Sequence, residues 1–288
     1  MQLQINQDAS RLLTSSSTDV NVQHILKMQN VGSFDFIYSI AIFLPVLVSF
    51  IIRSKYPILY SKAIIILIVA LYGYTILISN FTTALIMLFI GVLISGISGH
   101  GSITISKFLF YCLICALVTP LLLKVFLIFM EGRIDSIYAQ SKIDGILGFL
   151  NGGGTQSLDD ATSRTDLLKR SIKSFFDNPI FGVGGYYRIA WKSPIGQHSQ
   201  FIDEFARYGI LGGCFLLLTI VRTLRVNIRS LKNGKIFNNP QIMAVMLFGV
   251  LGFMNPVFVY SIMIVTFIIS PALSRLILNK YEDSVPNR

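Results

Sequence analysis

Seven apolar runs separated by short polar segments constrain the fold of this chain more than any other feature of its sequence. A helix needs about 20 apolar residues to cross the hydrocarbon core of a bilayer, and most of these runs approach that length. We therefore predict an all-α integral membrane protein with about seven transmembrane helices, although the shortest runs leave six or eight open. The runs occupy residues 36–52, 63–78, 81–97, 108–130, 209–221, 241–254 and 257–277.

The charged residues favour a membrane protein over a soluble one. Only 13% of the 288 residues are charged, whereas a soluble domain carries roughly a quarter. The formal net charge is +10, but the basic residues cluster beside apolar runs, as they do on the cytoplasmic side of membrane proteins. We interpret this charge as a topology signal and expect no nucleic-acid partner.

Basic residues in two short loops predict the orientation of the helices. Arg53, Lys55 and Lys62 lie in one loop, and a second basic cluster occupies residues 222–235. The positive-inside rule makes both loops cytoplasmic. Counting helices from either loop gives the same topology, in which a long loop at residues 131–208 lies outside the membrane.

This topology places the polar amino-terminal segment outside, although it contains no signal peptide that would carry it across. We therefore expect that further helices precede it in a longer protein. The predicted parts are an exposed amino-terminal segment (1–35), four transmembrane helices (36–130), a large extracytoplasmic loop (131–208), three transmembrane helices (209–277) and a cytoplasmic tail (278–288).

The loop at 131–208 is long enough to expect a function, because loops beyond about 15 residues are usually functional or disordered. Its first part contains Asn151-Gly-Gly-Gly154, which is typical of a turn or linker. Its second part begins with a predicted capping box, Ser163-Arg-Thr-Asp166, and continues as an amphipathic helix that would rest at the membrane surface. The apolar face would hold Leu167, Leu168, Ile172, Phe175 and Phe176, and the basic face Arg164, Lys169, Arg170 and Lys173.

The turn after this helix contains several glycines. The pair Asn178-Pro179 should end the helix, because proline disfavours a helical conformation in the preceding residue. Gly182 and Gly184 follow within a few residues. Their N–H groups could bind an anion, or the glycines could simply allow a tight turn.

His198 lies just before a short helix that the pattern predicts to begin near Ser199. The positive end of the helix dipole disfavours an imidazolium, so the ring would stay neutral and able to accept a proton. The alternative is a histidine that caps the helix or hydrogen-bonds a lipid headgroup. Both interpretations stay open on the residues alone.

Taken in order, these motifs resemble the signature region of the O-antigen polymerase and ligase superfamily, and of a Wzy-type polysaccharide polymerase in particular. The motifs occupy residues 163–212, while the helix pattern extends the resemblance over 34–277. Members of the superfamily usually have more amino-terminal helices than this chain. The motifs are Ser163-Arg164-Thr-Asp166, Asn178-Pro-Ile-Phe-Gly182-Val-Gly184, His198-Ser199 and Tyr208-Gly-Ile-Leu-Gly212.

The resemblance implies a membrane glycosyltransferase that uses neither a metal nor another cofactor. Its donor would be an oligosaccharide linked to polyprenyl pyrophosphate, transferred to a second lipid-linked repeat unit. The product would be a capsule or O-antigen on the outer face of the bacterial cytoplasmic (inner) membrane. The implied partners are the lipid-linked oligosaccharide, the lipid bilayer, a chain-length regulator and a flippase.

The resemblance also implies roles for individual residues. Arg164 matches the family arginine and could hold the pyrophosphate through bidentate contacts, which a lysine cannot make. His198 matches the family histidine and would act as a base or orient the acceptor. The weaker candidates for substrate binding include basic residues, which near a membrane often only neutralise headgroups. They are Arg170, Lys173, Arg188, Arg207, Gly182 and Gly184.

Other functions stay open at this point. A ligase that moves finished glycan to another acceptor would use the same residues. A transporter or flippase predicts charged residues within the spans, and only Lys124 lies well inside an apolar run. A non-catalytic membrane subunit is the third alternative.

Overall fold

The computed structural model describes residues 33–52, 62–79, 81–97, 110, 159–184, 193–229 and 238–284. These residues are mostly helical and contain no strand. The helices are α1 (Phe34–Ile52), α2 (Lys62–Ile78), α3 (Thr82–Ile97), α4 (Asp159–Asp177), α5 (Gln200–Arg229), α6 (Asn238–Met254), α7 (Tyr260–Ile264) and α8 (Ser270–Ser284), with a π-helical turn (Val265–Ile269) joining the last two. The segment 1–32, nearly all of the predicted span 108–130, the Asn151–Gly154 segment and Arg188 lie outside the described residues.

The apolar helices are those of a membrane protein. Three of them are long and apolar enough to cross a bilayer, namely Phe34–Ile52, Gln200–Arg229 and Tyr260–Ile277. Three shorter apolar helices coincide with other predicted runs, at Ala63–Leu77, Thr83–Gly96 and Pro240–Met254. The all-α class is therefore confirmed for the described part of the chain, and the number of seven spans stays a prediction.

Helix α1 lies at the centre of the described bundle, where it packs against α2, α3, α6 and α7. Most of its side chains are buried. Helix α3 approaches α1 closely at Gly91, where an added Cβ would lie 2.3 Å from Cγ of Pro45. The Ser95 hydroxyl donates to the Pro45 carbonyl at 3.1 Å. Small residues commonly allow such close approach between membrane helices.

Replacing Gly91 with alanine should therefore lower the free energy of unfolding by about 1–3 kcal/mol, because the added methyl overpacks the α1–α3 contact. Thermal unfolding of the purified protein in detergent measures the effect. Gly73→Ala is the matched control, because nothing lies within 4 Å of a Cβ at Gly73 in α2. Equal melting temperatures for the two variants would contradict this packing.

Helix α4 ends at Asp177, as the Asn178-Pro179 pair predicts, but it begins earlier than predicted. Its first residue is Asp159, so the predicted capping box at Ser163 is wrong. An N-cap residue must lie outside the helix, whereas Ser163 lies within it. The Asp166 carboxylate instead pairs with Lys169 at 3.5 Å.

The buried face of α4 is shifted from the predicted one. Ser171 and Ser174 are buried against neighbouring protein, and the rings of Phe175 and Phe205 pack edge to face at 6.1 Å. Ile172 and Phe176, which the pattern placed on the same apolar face, are exposed. Helix α4 therefore docks on α5 through small polar residues as well as apolar ones.

Candidate active site

The turn after α4 is joined to a break in α5. Helix α5 is interrupted at Gly209, whose φ of 64° and ψ of −169° are not helical. The N–H of Ile210 donates to the Pro179 carbonyl at 2.8 Å, and the N–H of Val183 donates to the Ala206 carbonyl at 3.0 Å. These bonds satisfy backbone groups that the break in α5 leaves without intrahelical partners. We call this contact between residues 178–184 and 206–211 the glycine junction.

Two glycines allow the two backbones to meet at the glycine junction. A Cβ at Gly182 would lie 2.4 Å from the Arg207 carbonyl carbon, and one at Gly209 would lie 2.2 Å from the Ile180 oxygen. Both glycines have a positive φ, which strains any other residue. A side chain is therefore excluded from both positions by space and by backbone conformation.

The backbone N–H groups of Gly182 and Gly184 decide between the two interpretations of these glycines, anion binding and a tight turn. The Gly182 N–H donates to the Asn178 carbonyl at 2.9 Å, and the Gly184 N–H donates to the Arg207 carbonyl at 2.9 Å. Both N–H groups are thus engaged within the protein. This geometry favours the tight turn over anion binding.

His198 lies at the amino end of α5, as predicted, two residues before its first helical residue, Gln200. The loop that carries it, residues 193–199, rests on α4. The Ser174 hydroxyl donates to the Pro194 carbonyl at 2.5 Å, and the Gly196 N–H donates to the Ser171 hydroxyl at 2.8 Å. Helix α4 therefore fixes the position of the loop relative to α5.

A cavity of about 200 Å³ opens where this loop meets α4, α5 and α6. His198 contributes to its polar side together with Ser199 and Asp203, whereas α6 supplies an apolar wall. A cavity lined by an imidazole and a carboxyl group, with an apolar wall, is a suitable site for proton transfer to or from a bound sugar hydroxyl. The lining residues are Thr165, Leu167, Leu168, His198, Ser199, Asp203, Phe253 and Met254.

A polar network holds the apolar wall in place. The Gln200 amide group donates to the Glu204 carboxylate at 2.7 Å. Its carbonyl oxygen accepts from the N–H groups of Val257 and Phe258 at 3.0 and 3.1 Å. Helix α5 is thereby tied to the segment that follows Phe253 and Met254.

The cavity brings together some of the predicted site residues and not others. Arg164 lies in α4 beside Thr165, which lines the cavity, but its side chain lies outside the described residues. Arg170 and Lys173 lie on the exposed surface of α4 and do not line the cavity. Arg207 is also absent from the lining, and its guanidinium contacts Glu204 at 3.3 Å.

Ser171 is a residue of this site that the sequence pattern does not reveal. Its hydroxyl donates to the Asp203 carboxylate at 2.5 Å. The Asp203 carboxylate also accepts from the Ser199 N–H at 2.9 Å. A serine on an amphipathic helix carries no signal for such a contact, since its partner lies 32 residues away in the sequence.

The O-antigen ligase family model matches residues 41–217, which is more than half of the chain. The chain belongs to the O-antigen ligase family. This membership confirms the predicted relationship to the polymerase and ligase superfamily. A comparison with curated proteins finds no match. The matched region of this O-antigen ligase family member includes His198, the glycine junction and the part of the cavity that α4 and α5 supply.

Membership of the O-antigen ligase family supports an enzymatic activity on lipid-linked oligosaccharides in a membrane. It does not separate polymerisation from ligation. Among the described residues, no three His, Cys, Asp or Glu side chains are grouped so that they could hold a metal ion.

Proposed function

We propose that this O-antigen ligase family member polymerises polyprenyl-pyrophosphate-linked oligosaccharide repeat units into a capsule or O-antigen on the outer face of the cytoplasmic membrane. The observation that carries the proposal is the cavity lined by both His198 and Thr165, the neighbour of Arg164. Glycosyl transfer from a lipid pyrophosphate requires a base near the acceptor hydroxyl and a cation at the departing pyrophosphate. We assign the role of the base to His198 and that of the cation to Arg164.

In the proposed reaction, the acceptor hydroxyl oxygen attacks the anomeric carbon of the donor glycan. As the new C–O bond forms, the bond between the anomeric carbon and the pyrophosphate oxygen breaks. The pyrophosphate leaves with the bonding electrons and remains attached to its polyprenyl chain. His198 accepts the hydroxyl proton, and its place at the amino end of α5 favours the neutral imidazole that this step needs.

The proposed site separates the polar and lipid parts of the donor. Arg164 holds the pyrophosphate through two parallel hydrogen bonds. The apolar wall formed by Phe253 and Met254 faces the lipid end of the donor. Arg170 and Lys173, which are exposed on α4, attract the anionic carrier toward the cavity. Arg188, Arg207, Gly182 and Gly184 stay weaker candidates, and a flippase and a chain-length regulator are the expected partners.

The test is the length of the surface polysaccharide in cells from which the gene is deleted and then restored. Deletion should leave single repeat units, and the wild-type gene should restore long chains. Unchanged chain length after deletion would contradict polymerisation. Long chains that accumulate on the lipid carrier, without reaching their final acceptor, would indicate a ligase instead.

The same complementation tests Arg164. We expect Arg164→Ala to slow transfer about 100-fold, because the charge that develops on the pyrophosphate loses its main partner. Arg164→Lys should restore only a small part of the rate, since an ammonium cannot make the bidentate contact. Lys169→Ala is the control, because Lys169 is an exposed cation of the same helix that pairs with Asp166. Full activity of Arg164→Ala at normal membrane levels would exclude Arg164 as the clamp.

A further inference from the structure

The residue before His198 has a strained backbone. Gln197 has a φ of 61°, and among the described residues it is the one non-glycine residue with a positive φ. This left-handed conformation is unfavourable for a residue with a Cβ. Such strain persists only where the surrounding structure maintains it, and it is concentrated at functional sites. The Gln197 side chain is exposed, so packing of that side chain does not maintain the strain.

The Asp203 carboxylate holds the backbone on both sides of His198. It accepts from the Ser199 N–H at 2.9 Å, and the backbone of Gln197 approaches the same carboxyl group. The carboxylate is only 5% exposed. The peptide group that follows His198 is therefore fixed by one side chain of α5, and the backbone before His198 lies against the same side chain.

Helix α4 fixes the same carboxylate from the other side. Ser171 is fully buried, and its hydroxyl donates to the Asp203 carboxylate at 2.5 Å. The same hydroxyl accepts from the Gly196 N–H at 2.8 Å. The backbone from Gly196 to Ser199 is thus held by a network that begins on α4 and ends on α5.

We propose that Asp203 is a positioning residue for His198, which with Ser171 holds Gln197 in its left-handed conformation and so directs the imidazole into the cavity. The inference rests on the proposed function and adds to it the residue that orients the base. The carboxylate accepts from the Ser171 hydroxyl on α4 and from the Ser199 N–H in the loop. Asp203 therefore acts through the loop backbone that carries His198.

A double-variant experiment tests this role. Asp203→Asn replaces one acceptor oxygen with an NH₂ group, which cannot accept from a peptide N–H. Gln197→Gly removes the penalty of the left-handed conformation. If Asp203 works by maintaining that conformation, the glycine should compensate for part of what the asparagine loses.

The first readout is the rate of glycosyl transfer by the full chain in proteoliposomes, with lipid-linked repeat units extracted from the deletion strain as substrate. We expect Asp203→Asn to lower kcat about 100-fold with little change in KM, as for an interaction that acts at the transition state. Gln197→Gly alone should stay within about twofold of wild type, and the double variant should regain about tenfold over Asp203→Asn. Where Asp203→Asn slows transfer, a double variant no faster than Asp203→Asn would overturn the proposal.

The second readout does not depend on activity. Diethyl pyrocarbonate acylates neutral imidazole, and the chain has three histidines. With His24 and His100 replaced by glutamine, the acylation rate reports on His198 alone. Asp203→Asn should raise this rate several-fold as the loop is released, and Gln197→Gly should partly reverse the rise. An acylation rate unchanged in Asp203→Asn would also overturn the positioning role.

Two further variants keep the test decisive. Ser171→Ala removes the hydrogen bonds to Asp203 and from the Gly196 N–H, and it should shift both readouts in the same direction as Asp203→Asn. It therefore replaces that variant if Asp203→Asn fails to fold. Glu204→Gln is the matched control, because Glu204 is also buried on α5 but contacts the side chains of Gln200 and Arg207. Adding Gln197→Gly to Glu204→Gln should not restore any of the transfer rate that Glu204→Gln loses. A changed acylation rate without any change in transfer would uphold the positioning and overturn the catalytic role of His198.

Discussion

Replacing His198 with alanine should lower the rate of glycosyl transfer at least about 100-fold, the usual contribution of a positioned general base. The imidazole lines the cavity and in the proposed reaction takes the proton of the acceptor hydroxyl. The variant should therefore leave single repeat units in cells. The initial rate of chain growth in membranes of the complemented deletion strain measures the effect, at matched protein levels.

A second substitution at the same position separates the two proposed roles of His198. Glutamine can hydrogen-bond an acceptor hydroxyl but is not a base. If His198 is the base, His198→Gln should be as slow as His198→Ala, whereas an orienting role predicts that His198→Gln keeps much of the activity. Lys169→Ala again serves as the control. A wild-type rate of chain growth in the His198→Ala variant would show that His198 has no role in the reaction.

Adding a methyl group at Gly209 should lower the free energy of unfolding by about 3 kcal/mol, as the sum of left-handed backbone strain and overpacking. The added Cβ would lie 2.2 Å from the Ile180 oxygen, a backbone atom that cannot move aside alone. Gly182→Ala should have a similar effect, because its Cβ would meet the Arg207 carbonyl at 2.4 Å. Thermal unfolding in detergent and the protein level in membranes measure both changes.

Gly184 and Gly249 supply the controls for this series. Gly184 has a φ of +62° but nothing within 4 Å of an added Cβ, so Gly184→Ala should cost only the backbone strain of about 1–2 kcal/mol. Gly249 lies within α6 with open space around its Cβ, and alanine there should be neutral or stabilising. Equal losses for Gly209→Ala and Gly184→Ala would contradict the close contact at the glycine junction.

The glycine junction also matters for the proposed chemistry. It joins the turn after α4 to α5 through hydrogen bonds at Ala206, Arg207 and Ile210, while the Ser171 hydroxyl joins the middle of α4 to Asp203. Arg164 lies on α4, and the His198 loop leads into α5. The relative position of the two proposed catalytic residues therefore depends on the docking of α4, so a variant that loosens the junction should also reduce transfer.

Several local features of this protein follow from its sequence alone, although the start of α4 does not. Apolar length predicted the membrane helices, because crossing a bilayer requires only a continuous apolar segment. Proline predicted the end of α4 at Asp177, because it acts on the preceding residue. The motifs around His198 predicted both its place at the start of α5 and the family, which the match over 41–217 confirms.

Features that depend on distant partners were decided by the tertiary structure. The face that α4 buries is set by α5, so Ser171 became a contact of Asp203 rather than a solvent-facing serine. The role of Gly182 became apparent only beside Arg207 and Gly209. The left-handed conformation of Gln197 lies in a loop whose Gly196 and Ser199 N–H groups donate to Ser171 and Asp203, and the sequence does not show these contacts. Periodicity describes what a segment can bury, but the partner surface determines which contacts form, because each buried polar group must find its own hydrogen-bond partner.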